Sequence, residues 1–371
     1  MIGEVDLAVV GGGIVGLSTA VAAADGGLEI RCFEAARPGA GQSAGRTRIF
    51  RHRHAEPELV ELAVRARAAW DRWEQRFGRE LVGREGVVMA GPDLESDLER
   101  LTTAGVEVRA LDPAAQREAL PIAAPLGETA LLDVHGGAIR TDRAVDALVG
   151  DLGERLVLAE VVGLHPADGH VMVDTAEGVW RARRAVVCAG VDTTRLARAL
   201  GLDLPVETGC QLRATFAVSE ALAGGRLACL LDGRDPDASS YAAACDGGRR
   251  YTVGLGSSEL AVGGLGPAVP ADAPPTQAIE RTSAYVARVF PGLDPEPVEL
   301  RLCWTTKLPW SEDAFAAWQH GPVTVFAGHN LFKFAPVLAD LLVEAARAGR
   351  ISPELAPDYA DGVAVSRMKT S

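Results

Sequence analysis

Near the N-terminus the chain reads Val5-Asp6-Leu7-Ala8-Val9-Val10-Gly11-Gly12-Gly13-Ile14-Val15-Gly16, and this stretch constrains the fold more than any other. An apolar run of strand length meets a G-x-G-x-x-G turn, and a helix rich in small residues follows. A second apolar run, Arg31-Cys32-Phe33-Glu34, ends in an acid eighteen residues after Gly16. Strand, turn, helix and acid in register make a complete dinucleotide fingerprint. Gly11 permits the tight turn, Gly13 lets the backbone approach a pyrophosphate at the helix N-terminus, and Gly16 lets helix and strand pack closely. Glu34 is placed to accept hydrogen bonds from an adenosine ribose, and its charge disfavours a 2′-phosphate. The fingerprint alone leaves NAD and FAD open.

The formal charge of −13 over 371 residues argues against nucleic acid or an anionic membrane as a partner. Cys32, Cys188, Cys210, Cys229, Cys245 and Cys303 are scattered without a C-x-x-C pair or zinc spacing, so neither a disulfide framework nor a metal site is expected. Asp6 and the glycines interrupt any signal-like core, and no apolar run approaches bilayer length. A soluble cytoplasmic protein is expected, as a monomer or small homo-oligomer.

A Gly/Ser/Ala-rich loop containing Ser43 leads to a basic run, Arg46-Thr47-Arg48-Ile49-Phe50-Arg51-His52-Arg53-His54. By residue type alone, such a run reads as a solvated or phosphate-facing patch. Leu62, Ala66, Trp70, Trp73 and Phe77 then recur at helical spacing up to Gly78, an amphipathic helix with a glycine cap whose tryptophans belong to the core. Beyond it the pattern predicts a strand over 86–90, a helix over 94–103, and a hairpin or paired strands at 129–132 and 138–139. A helix over 141–152 and strands near Leu156, Val171 and Val179 lead to 185–190, a strand ending in the small residues Ala189 and Gly190. Strands follow at 211–218, 227–231, 240–244 and 250–255, then a Gly/Pro-rich loop over 262–275 and a helix over 276–290. A strand over 298–305, another over 323–328 ending in Gly328, and a helix over 337–348 complete the chain.

The implied fold class is α/β with α+β insertions. A discontinuous Rossmann-type domain over 1–85, 140–205 and 298–371 would hold the nucleotide, and a mixed or antiparallel-sheet domain over 86–139 and 206–297 the substrate.

The fingerprint, the run Thr47-Arg48-Ile49-Phe50-Arg51-His52, the segment Cys303-Trp304-Thr305-Thr306-Lys307, and Ala327-Gly328 followed by Phe332-Lys333-Phe334 occur in one order. In this the chain resembles the monomeric sarcosine oxidase / N-methyl-tryptophan oxidase family of the D-amino-acid oxidase superfamily. The resemblance implies FAD, joined through a thioether from Cys303 to the 8α-methyl of the flavin. The other five cysteines read as small buried hydrophobes. Arg51 matches the arginine that binds the substrate carboxylate, Lys333 the lysine that shares it, and Arg48 an arginine close to the flavin. Arginine suits such a role because its rigid fork holds a carboxylate bidentately and stays charged when partly buried. The expected cofactor contacts are Gly11, Gly13, Ile14, Val15, Gly16, Glu34, Ala35, Ser43, Arg48, Val161, Ala189, Gly190, Cys303, Gly328 and Lys333.

Three departures stand out. Where the family's oxidases carry a lysine that speeds the reaction of reduced FAD with dioxygen, this chain has Thr252. The loop before the substrate lysine is shortened to Gly328-His329-Asn330-Leu331-Phe332-Lys333, with His329 either facing the flavin or satisfied by backbone. Thr305 stands in place of an active-site tyrosine, and Gly256 in place of a histidine. These changes point away from sarcosine toward a larger or cyclic amino acid.

The expected activity is oxidation of a secondary or cyclic amino acid to an imine by hydride transfer to FAD, with dioxygen reoxidising the flavin to give hydrogen peroxide. Arg48, Arg51, Lys333, Thr252 and His329 are the candidate active-site groups. The alternatives are an FAD-dependent dehydrogenase of an amino acid or 2-hydroxy acid with an acceptor other than dioxygen, and a flavin-binding module without turnover.

Overall fold

The computed structural model describes residues 3–235, 239–261, 276–357, 359–360 and 363–364. Residues 262–275, read as a loop from composition, lie outside the described residues.

Two large sheets carry the chain. The first runs in the order Phe315–His320, Val323–Gly328, Gly178–Val187, Gly3–Val10, Ile30–Glu34, Leu156–Leu158. Its central pairings are parallel, with Val9 opposite Val186 on one side and Cys32 on the other. Flanked on both edges and covered on both faces, Gly3–Val10 ends in the continuous apolar run Leu7-Ala8-Val9-Val10, all buried. Helix Ile14–Asp25 packs on Ala335–Ala348, and together with Pro57–Phe77 these helices enclose a core containing Leu17, Phe50, Trp70 and Phe334. Trp70 is fully buried, and Gly78 caps its helix at φ +63°.

The second sheet runs Leu293–Lys307, Glu207–Val218, Arg250–Ala261, Ser240–Cys245, Cys229–Asp232, Val87–Ala90, Ala130–Asp133, Val108–Leu111. Its pairings are antiparallel except for Cys229–Asp232 beside Val87–Ala90. Residues 298–307, expected in the nucleotide-binding part, therefore hydrogen-bond within this sheet. Strand alternation sorts Glu207–Val218 into two faces. Ala214 and Phe216 enter a core that includes Tyr285, Val286 and Val289 of the helix Thr276–Val289, and Leu212 is buried. Gln211, Arg213 and Thr215 take the opposite face.

Two expectations need correction. The strands Ala130–Asp133 and Gly137–Arg140 are not paired with each other. The first pairs with Val87–Ala90 and Val108–Leu111, whereas the second pairs with Thr47–Phe50. Asp133 accompanies the divergence: its carboxylate accepts from Gly136 N within the turn and from His52 N and His52 Nδ1, which ties the turn to the basic run. The basic run is likewise no solvated patch. Thr47–Phe50 is a strand, with Thr47 and Phe50 buried. Among the described residues, no helix is long and apolar enough to cross a membrane.

Candidate active site

A cavity of about 620 Å³ is bounded by residues of both sheets. Gly11, Gly13, Ile14, Val15, Glu34, Ala35 and Ser43 line it from the first strand–helix–strand unit and the loop after it. Arg48, Arg51, Val161, Ala189, Gly190, Thr252, Cys303, Gly328, His329 and Lys333 line it as well, so residues far apart in sequence meet around one space.

Gly16 works from behind this wall. A Cβ there would stand 1.9 Å from the Gly11 carbonyl oxygen, and one on Gly11 would stand 2.4 Å from that of Cys188, with Gly11 at φ +111°. The turn therefore admits only backbone on the cavity side. The Glu34 carboxylate accepts from Gly12 N at 2.8 Å and Ala36 N at 3.0 Å, which holds its remaining lone pairs in place at the cavity wall. Ser43 Oγ accepts from Ile14 N at 2.9 Å, and helix Ile14–Asp25 has no acid in its first turn to neutralise its N-terminus. A side-chain-free turn, an unneutralised helix start and a fixed acid fit the pyrophosphate and ribose of FAD. Gly11, Gly13, Ile14, Val15, Ser43 and Glu34 would hold them.

All six cysteines are free and buried. Cys303 lines the cavity near the end of Leu293–Lys307, with Gln211 as its register partner. Burial pushes the Cys32 thiol up to about 12 and the Cys245 thiol up to about 11, and it raises Cys188, Cys210 and Cys229 too. Those five are protonated at neutral pH and unreactive as nucleophiles.

Arg48 is locked by its own loop. Nη1 donates to Thr47 O at 2.9 Å, and Nη2 to Gln42 O at 3.0 Å and Ala44 O at 2.6 Å. Burial, then the nearby charge of Arg213, lowers it to about 10, so it stays cationic beside Cys303 and Tyr241.

Asp313, which sequence reasoning did not single out, organises the remaining charges. Arg51 Nη2 donates to its Oδ2 at 2.8 Å, and His54 Nδ1 lies 2.9 Å from the same oxygen. Asn330 Nδ2 donates to Oδ1 at 2.7 Å, and Lys333 Nζ reaches Oδ1 at 3.4 Å and Asn330 O at 3.0 Å. Burial alone would raise the Asp313 carboxyl, but Arg51, then Lys333 and His54, outweigh it and hold it well below the usual carboxylate range. Lys333 is 3% exposed, and burial lowers it to about 8 against the pull of Asp313. Burial lowers both His54 and His329 to about 3, so both imidazoles are neutral at working pH, and His54 Nε2 has no partner. Trp70 Nε1 donates to Lys333 O at 2.8 Å while its ring stacks on Phe332, tying the lysine's short helix to the core.

Thr252 Oγ1 pairs with Thr215 Oγ1 at 2.9 Å on the cavity face of the second sheet. Arg213 and Tyr241 share that face, and neither stood out in the sequence. The alternation in Gln211-Leu-Arg-Ala-Thr-Phe216 was the available signal, but local pattern does not say which face meets a cavity.

The chain is 31% identical over 199 residues to an N-methyl-L-tryptophan oxidase of Yersinia pestis (strain Pestoides F), an alignment covering 50% of this chain and 54% of that protein. The chain thus spans about half the length of the curated relatives it matches. Among solved structures, the open form of NikD, an unusual amino acid oxidase essential for nikkomycin biosynthesis, superposes with a TM-score of 0.84 at 20% identity, covering 95% of this chain and 97% of that one. L-proline dehydrogenase from P. horikoshii gives 0.81 at 18% identity, over 95% and 96% of the two chains. These likenesses share the fold. Residues 6–345 match the DAO family, described as FAD dependent oxidoreductase, and the chain belongs to that family.

Proposed function

We propose that this chain oxidises a secondary or cyclic amino acid in the cytoplasm, with FAD attached through Cys303 and an imine as product. The observation that carries this reading is the convergence of Arg51 and Lys333 on the two oxygens of one carboxylate, in the cavity that Cys303 and the fingerprint share. Asp313 stands where a substrate carboxylate would be held, and the cations around it form a carboxylate clamp.

FAD, when bound, supplies the two-electron sink for the hydride that leaves the substrate α-carbon. The chain's own residues orient and enclose. Arg51 and Lys333 hold the acid end of the substrate, in competition with Asp313. Arg48, held by three carbonyls, keeps a fixed positive charge on the cavity wall, where it favours a developing anion. His54 and His329 stay neutral and add no charge. Such chemistry depends on orientation, a deprotonated amine and exclusion of water more than on a strong base. That an N-methyl-L-tryptophan oxidase is a relative supports a secondary amine as the reacting group.

A second reading, a dehydrogenase passing electrons to an acceptor other than dioxygen, is favoured by Thr252 at the place of the oxidases' lysine. The test is anaerobic mixing of the holoenzyme with secondary, cyclic and primary amino acids and with 2-hydroxy acids, followed by admission of air. Bleaching by amino acids, with peroxide formed as fast as the flavin is reduced, supports the oxidase. Slow reoxidation in air supports the dehydrogenase, and bleaching by 2-hydroxy acids alone overturns both amino-acid readings.

A further inference from the structure

Six cationic side chains line the cavity, and all but one are accounted for. Arg51 and Lys333 pair with Asp313, Arg53 pairs with Asp97, and Arg195 lies within ion-pair reach of Glu160 and Asp192. Arg48 spends its fork on three carbonyls. Arg213 differs. Among the described residues it has no carboxylate partner, its only hydrogen bond runs from Nε to Tyr241 Oη at 3.3 Å, and neither Nη has an acceptor.

The surroundings of Arg213 are built to hold it. Arg213 and Tyr241 are both register partners of Gly254, one on each neighbouring strand. A Cβ on Gly254 would stand 2.3 Å from the Tyr241 ring and hydroxyl, so glycine there lets the phenol lie across the sheet. The guanidinium carbon sits 5.1 Å from the centre of that ring. Tyr241 Oη donates in turn to Gln211 Oε1 at 2.8 Å, and Gln211 Nε2 donates to Leu255 O at 3.1 Å. The chain of bonds fixes the Nε edge and the ring face and leaves the Nη edge for the cavity. Burial works against the charge, but Tyr241 and Cys303 outweigh it, so Arg213 remains cationic. A guanidinium enclosed without an anion is costly unless a ligand completes it.

We propose that Arg213, oriented by Tyr241 and Gln211, is a second anion anchor in the cavity that Arg51 and Lys333 also line, and that the substrate is an amino acid with a second carboxylate. The inference rests on the amino-acid reading of the cavity. It adds that the two acid ends are held separately, one by the clamp and one by Arg213, with the reacting C–N bond between them.

The test compares N-methylglutamate with N-methylglutamine, which differ in one charge at nearly equal size, as reductants of the holoenzyme, in both enantiomers. Alongside, glutarate and butyrate are titrated against the flavin spectrum, which needs no turnover. In wild type the diacid of each pair should bind about tenfold or more tightly than its partner, with the difference in KM and not in kcat. Arg213→Gln should erase that preference with flavin content unchanged, and Arg213→Lys should restore part of it.

No diacid preference in wild type, or a preference that survives in Arg213→Gln, overturns the proposal. So does a Gln variant that loses or shifts its flavin while keeping the preference, because Arg213 then serves the cofactor. If no amino acid reduces the flavin, the amino-acid reading fails, and the glutarate titration still decides whether Arg213 is an anion anchor. Should Arg213→Gln not fold, Arg213→Lys carries the comparison.

Discussion

Arg51 and Asp313, 262 positions apart in sequence, meet across the cavity wall at 2.8 Å. The pair means that the proposed substrate clamp is already closed on an internal carboxylate. With Arg51 and Lys333 cationic, Asp313 ionised and His54 neutral, the cluster is less positive than its two cations alone would make it. A substrate carboxylate therefore binds against competition.

Replacing Asp313 with Asn removes the competitor at nearly constant shape. Carboxylate ligands are expected to bind about tenfold more tightly, or about 1.4 kcal/mol. The fold should lose on the order of 3 kcal/mol, because buried Lys333 and half-buried Arg51 are left without their anion. Ligand titration and thermal melting measure the two effects, and weaker ligand binding would show that Asp313 helps the clamp.

Lys333 makes carboxylate binding pH-dependent. Burial lowers it to about 8, so it is charged below that pH and loses its charge as the pH rises through it. Binding of a simple carboxylate such as butyrate, free of any amine titration, should be level below about pH 7 and weaken above about pH 8. Lys333→Arg should flatten the profile, because a guanidinium stays charged across that range. A wild-type profile without a break near 8 would count against Lys333 as an anion ligand.

Gly16→Ala tests the fingerprint turn. Its Cβ would overlap the Gly11 carbonyl oxygen, so the turn must open at a cost of about 1–3 kcal/mol. Flavin content of the purified protein should fall along with its melting temperature. A variant with full flavin and unchanged melting would show that close packing at Gly16 is dispensable.

Thr252→Lys tests the reactivity toward dioxygen. Thr252 sits on the cavity face, bonded to Thr215 and within reach of Cys245. Placing an ammonium there should speed reoxidation of the reduced enzyme in air by about tenfold or more, because positive charge favours the anion formed as dioxygen is reduced. Anaerobic reduction by substrate should change little. Equal reoxidation rates in the two proteins would show that Thr252 does not set oxygen reactivity.

Local sequence made the fingerprint turn legible and the charged cluster around Asp313 only half so. Gly11, Gly13, Gly16 and Glu34 act within one strand–helix–strand unit, so their spacing carries the geometry. Helices 94–103 and 141–152 were legible for the same reason, as periodicity within a single element. Asp313 and Arg213 acquire their meaning from distant partners, the first through Arg51 and Lys333, the second through Tyr241 on another strand. Nothing in the spacing around either residue announces those meetings. The hairpin expected at 129–139 failed similarly: two adjacent strands with a glycine turn between them belong to different sheets, and Asp133 is bonded to His52.

In the proposed function the cavity holds one flavin, fixed by Cys303 and by the fingerprint. Acid precipitation of the purified protein, in wild type and in Cys303→Ser, tests it most directly. The wild-type pellet should stay yellow and the mutant pellet should be colourless, with its flavin released to the supernatant. A wild-type pellet that releases its flavin would contradict the covalent bond, and a protein purified without any flavin would contradict the assignment of the cavity.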